Sequence, residues 1–377
     1  MPYKTTEKEF WTNKQRQGCS IHEVSYRACF KPQLPKYFIE KYTKEGEIVY
    51  DPFGGRGTTA IEAALLGRNF ITNDINPLSA LFVQGRLDPP NLDEIEDWLD
   101  SRIQRNTEID QIDLSMFYEE KTLKEINDLR NYFINKKSQN LDNVDHWIKM
   151  VATNRLTGHS KGFFSVYTLP PNQAASAKSQ IQINKKRNQS PEYKNTREII
   201  IKKSKQLLKT LNTDQRKNLF NAGKKALIFE RDASNTSEIS SECVRLIVTS
   251  PPFLNIVNYS EDNWLRCWFN NIDIKKLAKK ITMSATLEDW SNKMDSVFTE
   301  LYRVLKKDGV VAFEVGEIRN GKIKLEEAVI PIAEKKGFEI IEIMINTQNF
   351  TKTSNIWGVS NNQRGTNTNR IVLMKKR

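Results

Sequence analysis

The chain has 377 residues, of which 38% are hydrophobic and 10% aromatic, so it can bury a sizeable core. The first residues are polar and no stretch of 18 apolar residues occurs, so we expect neither a signal peptide nor a membrane span. Four cysteines and three histidines are widely scattered, which predicts no metal site and free thiols in a reducing cytoplasm. The net charge of +12 favours a polyanionic partner.

The first predicted elements form a strand, a glycine turn, a helix and a second strand. Residues 47–50 indicate a short apolar strand, and a helix is predicted over Thr58–Leu66, ended by Gly67. A second strand follows over Asn69–Asn73 and ends at Asp74. This βαβ unit predicts a parallel sheet.

The alternating pattern then stops for well over a hundred residues. We expect residues 1–87 and 224–377 to form one α/β domain, interrupted by a mainly helical insertion at 88–223. Within it, residues 151–220 carry fourteen Lys and Arg against three acidic residues, which is nearly the whole charge excess. This imbalance indicates a nucleic-acid surface, the alternative being a solvated basic helix face.

The strand pattern returns near residue 225 and continues to the last residues. The closing order of strand, helix, strand, loop and strand indicates a hairpin at one sheet edge, and therefore a mixed sheet. The predicted elements are strands near 225–230 and 244–248, helices at 261–269 and 287–305, a strand at 309–317, a helix at 325–337, and strands at 338–346 and 370–376.

The glycine turn, DPFGGRGTT, has the features of a cofactor-binding turn. Asp51 ends the first strand, and Gly55 and Gly57 allow a tight turn and close approach to a ligand. Asp74, at the end of the next strand, is placed to accept hydrogen bonds from a ribose. The spacing is neither GxGxxG nor a Walker loop, so a nucleoside without pyrophosphate fits best, and a simple tight turn is the alternative.

A second unusual feature is the sequence TSPPF at residues 249–253, directly after an apolar strand. Pro251 and Pro252 would hold backbone carbonyls in a fixed outward pose, and Ser250 adds a hydroxyl. Phe253 offers a flat aromatic face. Such a corner suits a planar group that carries an amino function.

Both features should face one ligand site. In an open parallel sheet, ligands bind beyond the carboxyl ends of the strands. Four polar residues follow predicted strand ends and should lie along one rim: Asp51, Asp74, Asp232 and Ser250.

The two motifs resemble those of a known family. DPFGGRGTT resembles motif I of the S-adenosyl-L-methionine-dependent amino-methyltransferases, and TSPPF resembles their catalytic motif IV, in the Ser-Pro-Pro form typical of DNA cytosine-N4 enzymes. FKPQLPKYFIEKY resembles the segment that closes over the methionine end of the cofactor. The resemblance covers about residues 20–85 and 225–377. It implies a Rossmann-like methyltransferase fold with a mixed seven-stranded sheet, interrupted by a helical target-recognition insertion.

The resemblance implies roles for particular residues. Motif IV should hold a flipped cytosine through Ser250, Pro251, Pro252 and Phe253. The cofactor pocket should be lined by Asp51, Pro52, Phe53, Gly55, Gly57, Thr58, Thr59, Asp74 and Asp232. Arg56 stands where Ser or Thr is common and would contact cofactor, DNA or solvent.

The insertion should supply the DNA contacts. We expect the stretch 154–173, with Asn172 and Gln173, to read bases, because such side chains can pair with base edges in the major groove. The aromatic residues within it are expected mainly to pack the insertion's own core. Contacts to DNA are expected from Arg155, His159, Lys161, Lys185, Lys186 and Arg187.

These features predict a site-specific DNA cytosine-N4 methyltransferase that uses S-adenosyl-L-methionine. Its expected partner is double-stranded DNA in a prokaryotic cytoplasm, with a cognate restriction endonuclease as a functional partner. Motif I precedes motif IV here, an order more familiar from some adenine enzymes, so adenine-N6 specificity is the first alternative. An RNA base enzyme and a non-catalytic DNA-binding protein are the others.

Overall fold

The computed structural model describes residues 3–8, 18–27, 29–103, 112–136, 138–169, 173–252, 259–281, 284, 286–318, 323–347 and 368–377. The strands are β1 (Thr5–Lys8), β2 (Ile48–Asp51), β3 (Asn69–Asn73), β4 (Leu227–Phe229), β5 (Val244–Thr249), β6 (Leu305–Ile318), β7 (Ile323–Lys324), β8 (Phe338–Thr347) and β9 (Thr368–Lys376). The helices are α1 (Gln33–Tyr42), α2 (Thr58–Leu65), α3 (Leu78–Gln84), α4 (Leu92–Ser101), α5 (Glu120–Asn135), α6 (Asn143–Arg155), α7 (Ala177–Arg187), α8 (Thr196–Leu208), α9 (Thr213–Gly223), α10 (Tyr259–Asp262), α11 (Trp264–Phe269), α12 (Ile274–Lys280), α13 (Leu287–Val304) and α14 (Leu325–Lys335).

The expected mixed Rossmann-like sheet is confirmed. In the described part of the chain, eight strands follow the order β1-β8-β9-β6-β5-β2-β3-β4, and the short β7 pairs with β6. Strand β9 is antiparallel to both β6 and β8, whereas the other pairs along this order are parallel. The expected number of seven strands is therefore wrong.

The additional strand was not detectable from its sequence. Strand β1 is the polar tetrapeptide TTEK, which lacks an apolar alternation, and it pairs parallel to β8 from Thr5↔Ile343 to Lys8↔Asn346. It therefore covers the hairpin strand that was expected to form the sheet edge.

The sheet is buried on both faces because neighbouring side chains along each strand point in opposite directions. In β2, Val49 belongs to the core beneath α1 and α2, and Tyr50 belongs to the core beneath α13 and α14. In β5, Leu246 and Ile247 divide in the same way. Strand β5, VRLIVT, is consequently apolar at most positions, and five of its six residues are buried.

The insertion forms helices α4 to α9, in agreement with the expectation of a mainly helical segment. Its apolar side chains join the core on the α2 face of the sheet, where Trp98 and Trp147 belong to the same buried cluster as Ile61 and Phe82. Asn218 of α9 also donates a hydrogen bond to the Leu65 carbonyl. The insertion and the sheet therefore share one continuous hydrophobic core.

Local capping signals explain where several insertion helices begin. The Asn91 side chain accepts a hydrogen bond from the Glu94 N–H while the Glu94 carboxylate accepts from the Asn91 N–H. Asn212 and Gln215 form the same reciprocal arrangement at the start of α9. Each such box satisfies N–H groups that the first helical turn leaves unpaired.

Two details complete the fold. The single helix expected over 261–269 is divided into α10 and α11, with Asn263 between them. None of the described helices is both long and apolar enough to cross a lipid bilayer.

The core between α13 and the hairpin gives a test of stability. Phe298 is fully buried, with its ring centroid 4.9 Å from that of Phe313 and 6.0 Å from that of Phe338. We expect Phe298→Ala to lower the free energy of unfolding by about 3–5 kcal/mol, measured by urea denaturation. The control Phe220→Ala, at a position 41% exposed, should change it by less than about 1 kcal/mol.

Candidate active site

A pocket lies beyond the carboxyl ends of the parallel strands, where the sheet topology places it. The four rim residues of the sequence analysis, Asp51, Asp74, Asp232 and Ser250, all line this pocket. Four further predicted residues line it as well: Pro52, Phe53, Gly55 and Thr58, and Pro252 lines it from motif IV. The glycine turn and the Ser-Pro-Pro corner therefore face one common space.

Among the described residues that were predicted to line the site, Gly57, Thr59 and Pro251 do not line the pocket. Thr59 is fully buried and its hydroxyl donates to the Val248 carbonyl at 3.1 Å, which ties α2 to β5. Gly57 caps the start of α2 in the left-handed conformation, with φ of 77°. Pro251 is buried beside the pocket, and Phe253 lies outside the described residues. Gly57 and Thr59 thus have structural contacts next to the pocket, and the cofactor contacts expected of them stay predictions.

The glycine turn holds Asp74 in a defined orientation. The Gly55 N–H donates to one carboxylate oxygen of Asp74 at 2.8 Å, and the Asn76 N–H donates to the other at 2.9 Å. Burial raises the pKa of Asp74, although both backbone hydrogen bonds favour the charged carboxylate. The acid is therefore oriented by the protein itself before any ligand enters.

Asp51 connects the ends of two neighbouring strands. The Thr249 hydroxyl donates to its carboxylate at 2.6 Å, and the Phe53 N–H donates at 3.1 Å. Burial raises the pKa of Asp51 to about 7, against these hydrogen bonds. Asp51 thus couples the glycine turn after β2 to the residue that precedes Ser250.

The Arg56 side chain is half-buried and does not line the pocket. Its guanidinium donates to the Val24 carbonyl at 3.1 Å, to the Phe30 carbonyl at 3.0 Å and to the Thr58 hydroxyl at 3.0 Å. The segment 24–30 is thereby attached to the glycine turn. That segment contributes the pocket residues Tyr26, Arg27, Cys29 and Phe30.

Helix α13 contributes pocket residues that the sequence analysis did not identify. Lys293 donates to both carboxylate oxygens of Asp232, at 2.7 and 2.5 Å. Burial alone would raise the pKa of Asp232, but the hydrogen bonds from Lys293 and Ser234 outweigh it and lower that pKa. Trp290 and Met294 line the same pocket. The sequence predicted a helix here but did not indicate that these residues face the pocket.

A buried carboxyl lies beside motif IV. Glu314 of β6 is adjacent to Ser250, because Thr249 pairs with Phe313 in the sheet. Asn369 of β9 donates to it at 2.6 Å. Burial raises the pKa of Glu314 to about 7, although hydrogen bonds from Ser250 and Asn369 favour the carboxylate. An acid within the apolar run VVAFEV was the signal that sequence reasoning passed over.

One residue predicted to contact DNA occupies a different position. Arg155 is only 8% exposed, and its guanidinium donates to the Asn154 backbone and side chain and lies over the Phe163 ring, 4.0 Å from its centroid. Its guanidinium therefore packs inside the insertion in this structure, and the DNA contact expected of Arg155 stays a prediction.

The remaining basic candidates lie nearer the surface. His159 is half-buried, and Lys161, Lys185, Lys186 and Arg187 are exposed. Three of these end α7, where basic side chains also complement the helix dipole.

The predicted base-reading stretch ends next to the pocket. Gln173 accepts a hydrogen bond from Arg27 at 2.7 Å, and the same guanidinium nitrogen donates to Asp262 at 2.5 Å. Asn172 lies outside the described residues. Because Arg27 lines the pocket, this contact brings the insertion beside the pocket mouth. Phe164 of the stretch is fully buried and Phe163 nearly so, as expected for packing residues.

Comparison with known proteins identifies the family. The sequence profile of the N6/N4 DNA methylases matches residues 2–80 and 244–376, which is more than half of the chain. The chain belongs to the DNA methylase family. The two matched segments flank the helical insertion and contain the glycine turn and the Ser-Pro-Pro corner of this methylase.

Curated relatives match different shares of the methylase. The Type II methyltransferase M.BsoBI of Geobacillus stearothermophilus is 23% identical over 322 residues, covering 76% of this chain and 60% of the relative. M.MvaI of Kocuria varians is 32% identical over 127 residues, covering 33% of this chain and 25% of the relative. The chain thus spans less than two thirds of the length of these relatives.

Among solved structures, TrmN from Thermus thermophilus is similar with a TM-score of 0.35 and 11% identity, covering 95% of this chain and 52% of that one. A similarity at that level carries no argument about function.

Within the described ranges, no cluster of three or more His, Cys, Asp or Glu side chains is arranged to hold a metal ion.

Burial of Glu314 predicts a pH-dependent stability. Between its ordinary pKa of 4.5 and about 7, the carboxyl is protonated in the folded protein and ionised in the unfolded chain, so rising pH favours unfolding. The Glu314→Gln variant lacks this pH-dependent contribution to the free energy of unfolding, because an amide does not titrate. Its stability relative to wild type should rise by roughly 2–3 kcal/mol from pH 4 to pH 8, measured by urea denaturation.

The matched control is Glu288→Gln, at an exposed position in the first turn of α13. Solvent screens a charge there, so the same pH series should show only a small change relative to wild type. Equal pH profiles for the two variants would contradict the burial argument for Glu314.

Proposed function

We propose that this methylase transfers a methyl group from S-adenosyl-L-methionine to the exocyclic N4 of a cytosine flipped out of double-stranded DNA. The observation that carries the proposal is the shared pocket, in which the glycine turn and Ser250 face the same space. The family match supports the reaction class. A role in restriction and modification, beside a cognate endonuclease, is part of the same proposal.

The donor set of the pocket fits the proposed cofactor. Asp74 presents a carboxylate already oriented by two N–H groups, as a ribose diol requires. Asp232, at the far side, is the acceptor for the adenine amino group. Apolar walls from Pro52 and Phe53 suit the flat purine. When bound, S-adenosyl-L-methionine supplies an activated methyl group on a sulfonium, so these residues need only bind and orient.

We infer that residues 24–27 and 29–30 cover the methionine end, because Tyr26, Arg27, Cys29 and Phe30 line the pocket. Of the stretch FKPQLPKYFIEKY at 30–42, which was expected in this role, Phe30 lines the pocket and Gln33–Tyr42 form α1. Arg56 attaches both ends of the segment 24–30 to the glycine turn through the Val24 and Phe30 carbonyls. The segment therefore holds a defined position relative to the carboxylates of the rim.

The Ser-Pro-Pro corner orients the amine. The exocyclic nitrogen of cytosine is a poor nucleophile, because its lone pair is delocalised into the ring. Hydrogen bonds from the amine to the Ser250 hydroxyl and the Pro251 carbonyl turn that lone pair toward the methyl donor. Alignment and electrostatic placement of this kind contribute on the order of 7–11 kcal/mol to lowering the barrier.

Glu314 complements this arrangement. Its carboxylate accepts a hydrogen bond from the Ser250 hydroxyl, so the lone pairs of the Ser250 oxygen stay available to the amine. After methyl transfer, the exocyclic nitrogen is positively charged and must lose a proton. The Ser250 hydroxyl relays this proton to the Glu314 carboxylate. A serine alone is too weak a base for this step.

The first experiment tests the reaction itself. Plasmid DNA is incubated with protein and S-adenosyl-L-methionine, digested to nucleosides and analysed by mass spectrometry. We expect N4-methylcytosine from wild type, and a decrease of at least about 100-fold for Ser250→Ala, because general acid–base and orienting contacts of this kind contribute that much.

The product decides between the candidates. N6-methyladenine in place of N4-methylcytosine would contradict the cytosine assignment and support adenine specificity, which the order of motif I before motif IV favours. Absence of both products from DNA, with cofactor binding intact, would contradict DNA as the substrate and direct the assay to RNA. If the wild-type protein does not bind S-adenosyl-L-methionine, the result would support a non-catalytic DNA-binding protein.

DNA binding is proposed for the exposed basic residues of the insertion, since extruding a base costs a few kcal/mol that phosphate contacts must offset. Lys185 and Lys186 are exposed at the end of α7. We expect the double variant Lys185→Gln, Lys186→Gln to bind duplex DNA more weakly and to reduce the slope of log K against log salt by about 2, measured by fluorescence anisotropy.

The matched control changes Lys306 and Lys307 to Gln. These residues are also exposed and adjacent, but they lie at the beginning of β6, the end of the sheet opposite the pocket. DNA affinity and its salt dependence should stay at the wild-type values. Equal losses in both double variants would indicate a general effect of charge, contrary to the proposed surface.

A further inference from the structure

Helix α13 reaches both functional parts of the pocket with residues from adjacent turns. Trp290, Lys293 and Met294 all line the pocket, and their spacing of three and four residues places them on one face of the helix. Trp290 contacts the motif IV corner, and Lys293 contacts the acid after β4. One rigid helix face therefore spans the proposed sites of the two substrates.

The contact to motif IV is a single directed hydrogen bond. The Trp290 side chain is 2% exposed, and its indole N–H donates to the Pro252 carbonyl at 3.0 Å. Proline has no N–H, so neither Pro251 nor Pro252 can be anchored by donating a backbone hydrogen bond. The orientation of the corner therefore depends on what its carbonyls accept.

This bond also separates the functions of the two proline carbonyls. The Pro252 carbonyl is oriented toward α13, where it accepts from Trp290. This bond orients the Pro252 carbonyl, and the ring of Pro252 fixes its φ, so of the two backbone angles between this carbonyl and that of Pro251 only the Pro252 ψ is left to vary. The direction of the backbone acceptor proposed for the target amine is thereby restricted.

The contact to the cofactor side is an ion pair within the same helix face. Lys293 donates to both oxygens of Asp232 and, at 3.1 Å, to the Ser234 hydroxyl. The side chains of Lys293 and Asp232 are 27% and 38% exposed, so the pair stays accessible to a ligand in the pocket. Lys293 limits the directions in which the Asp232 carboxylate can present its lone pairs.

We propose that Trp290 is a positioning residue for methyl transfer and that Lys293 is a positioning residue for the cofactor, both acting from α13. The inference rests on the proposed function and deepens it. Trp290 acts through Pro252 on the target amine and not on the cofactor, whereas Lys293 acts through Asp232 on the cofactor and not on the amine. The two effects are therefore separable in kinetics.

The experiment compares Trp290→Phe with Lys293→Met in the full chain. Trp290→Phe removes the N–H and keeps an aromatic ring, so kcat at saturating substrates should fall at least about tenfold, while the Kd for S-adenosyl-L-methionine stays within about twofold. Lys293→Met should raise that Kd about tenfold and leave kcat at saturating cofactor within about twofold. Kd is measured by calorimetry and kcat by initial-rate methylation at saturating DNA and cofactor.

The matched control is Trp147→Phe. Trp147 is fully buried in the insertion and its indole N–H donates to the Ser204 hydroxyl at 2.9 Å, so this variant loses a buried hydrogen bond of the same kind. It should lose as much thermal stability as Trp290→Phe but keep the wild-type kcat. A decrease in kcat that followed stability in both variants would overturn the positioning role of Trp290.

The remaining outcomes distinguish the inference from the proposed function. A wild-type protein that methylates no nucleic acid overturns the proposed function. An active wild type with unchanged kcat in Trp290→Phe overturns the role of Trp290 alone. An unchanged cofactor Kd in Lys293→Met overturns the role of Lys293. In the double variant, a decrease in kcat/KM that equals the product of the two single decreases supports two independent contacts. A decrease that differs from this product overturns their separation.

Discussion

The parallel pairing of β3, β2 and β5 is the constraint on which the rest of the site depends. Because parallel strands end at the same edge, Asp74, Asp51 and Ser250 are brought together although almost two hundred residues separate the first two from the third. The hydrogen bond from the Thr249 hydroxyl to the Asp51 carboxylate connects the end of β5 to the end of β2. The proposed cofactor site and the proposed base site therefore lie next to each other along the carboxyl ends of these strands.

The burial needed to form this edge also determines its electrostatics. Asp51 and Glu314 lie where helices cover both faces of the sheet, and burial raises the pKa of each to about 7. Asp232 lies further out and has Lys293 as a partner, which lowers its pKa. Carboxyl groups on the same rim therefore differ in protonation at neutral pH because their surroundings differ, as the division of roles in the proposed reaction requires.

Much of this arrangement could be predicted from the sequence, because local patterns determine strand ends and turns. Apolar runs predicted the strands, and the topology of parallel sheets then predicted the shared rim. What could not be predicted depends on long-range packing. Strand β1 has no apolar pattern, the pocket face of α13 has the same spacing as any buried face, and the burial of Arg155 depends on Phe163 folding back over it. Charge counts identified a basic segment but not which of its side chains remain exposed.

The position of β1 has a consequence for how the molecule folds. Its residues pair with β8, so a contact at the sheet edge joins positions more than three hundred residues apart in the chain. Strand β9 likewise inserts between two strands made earlier. Local units such as β2–α2–β3 can form early during synthesis, whereas completing the sheet has to await the synthesis of β9 at Thr368–Lys376. High contact order of this kind slows folding and leaves the edge of β6 unpaired on the growing chain, where association with chaperones or other nascent chains competes with its own hairpin.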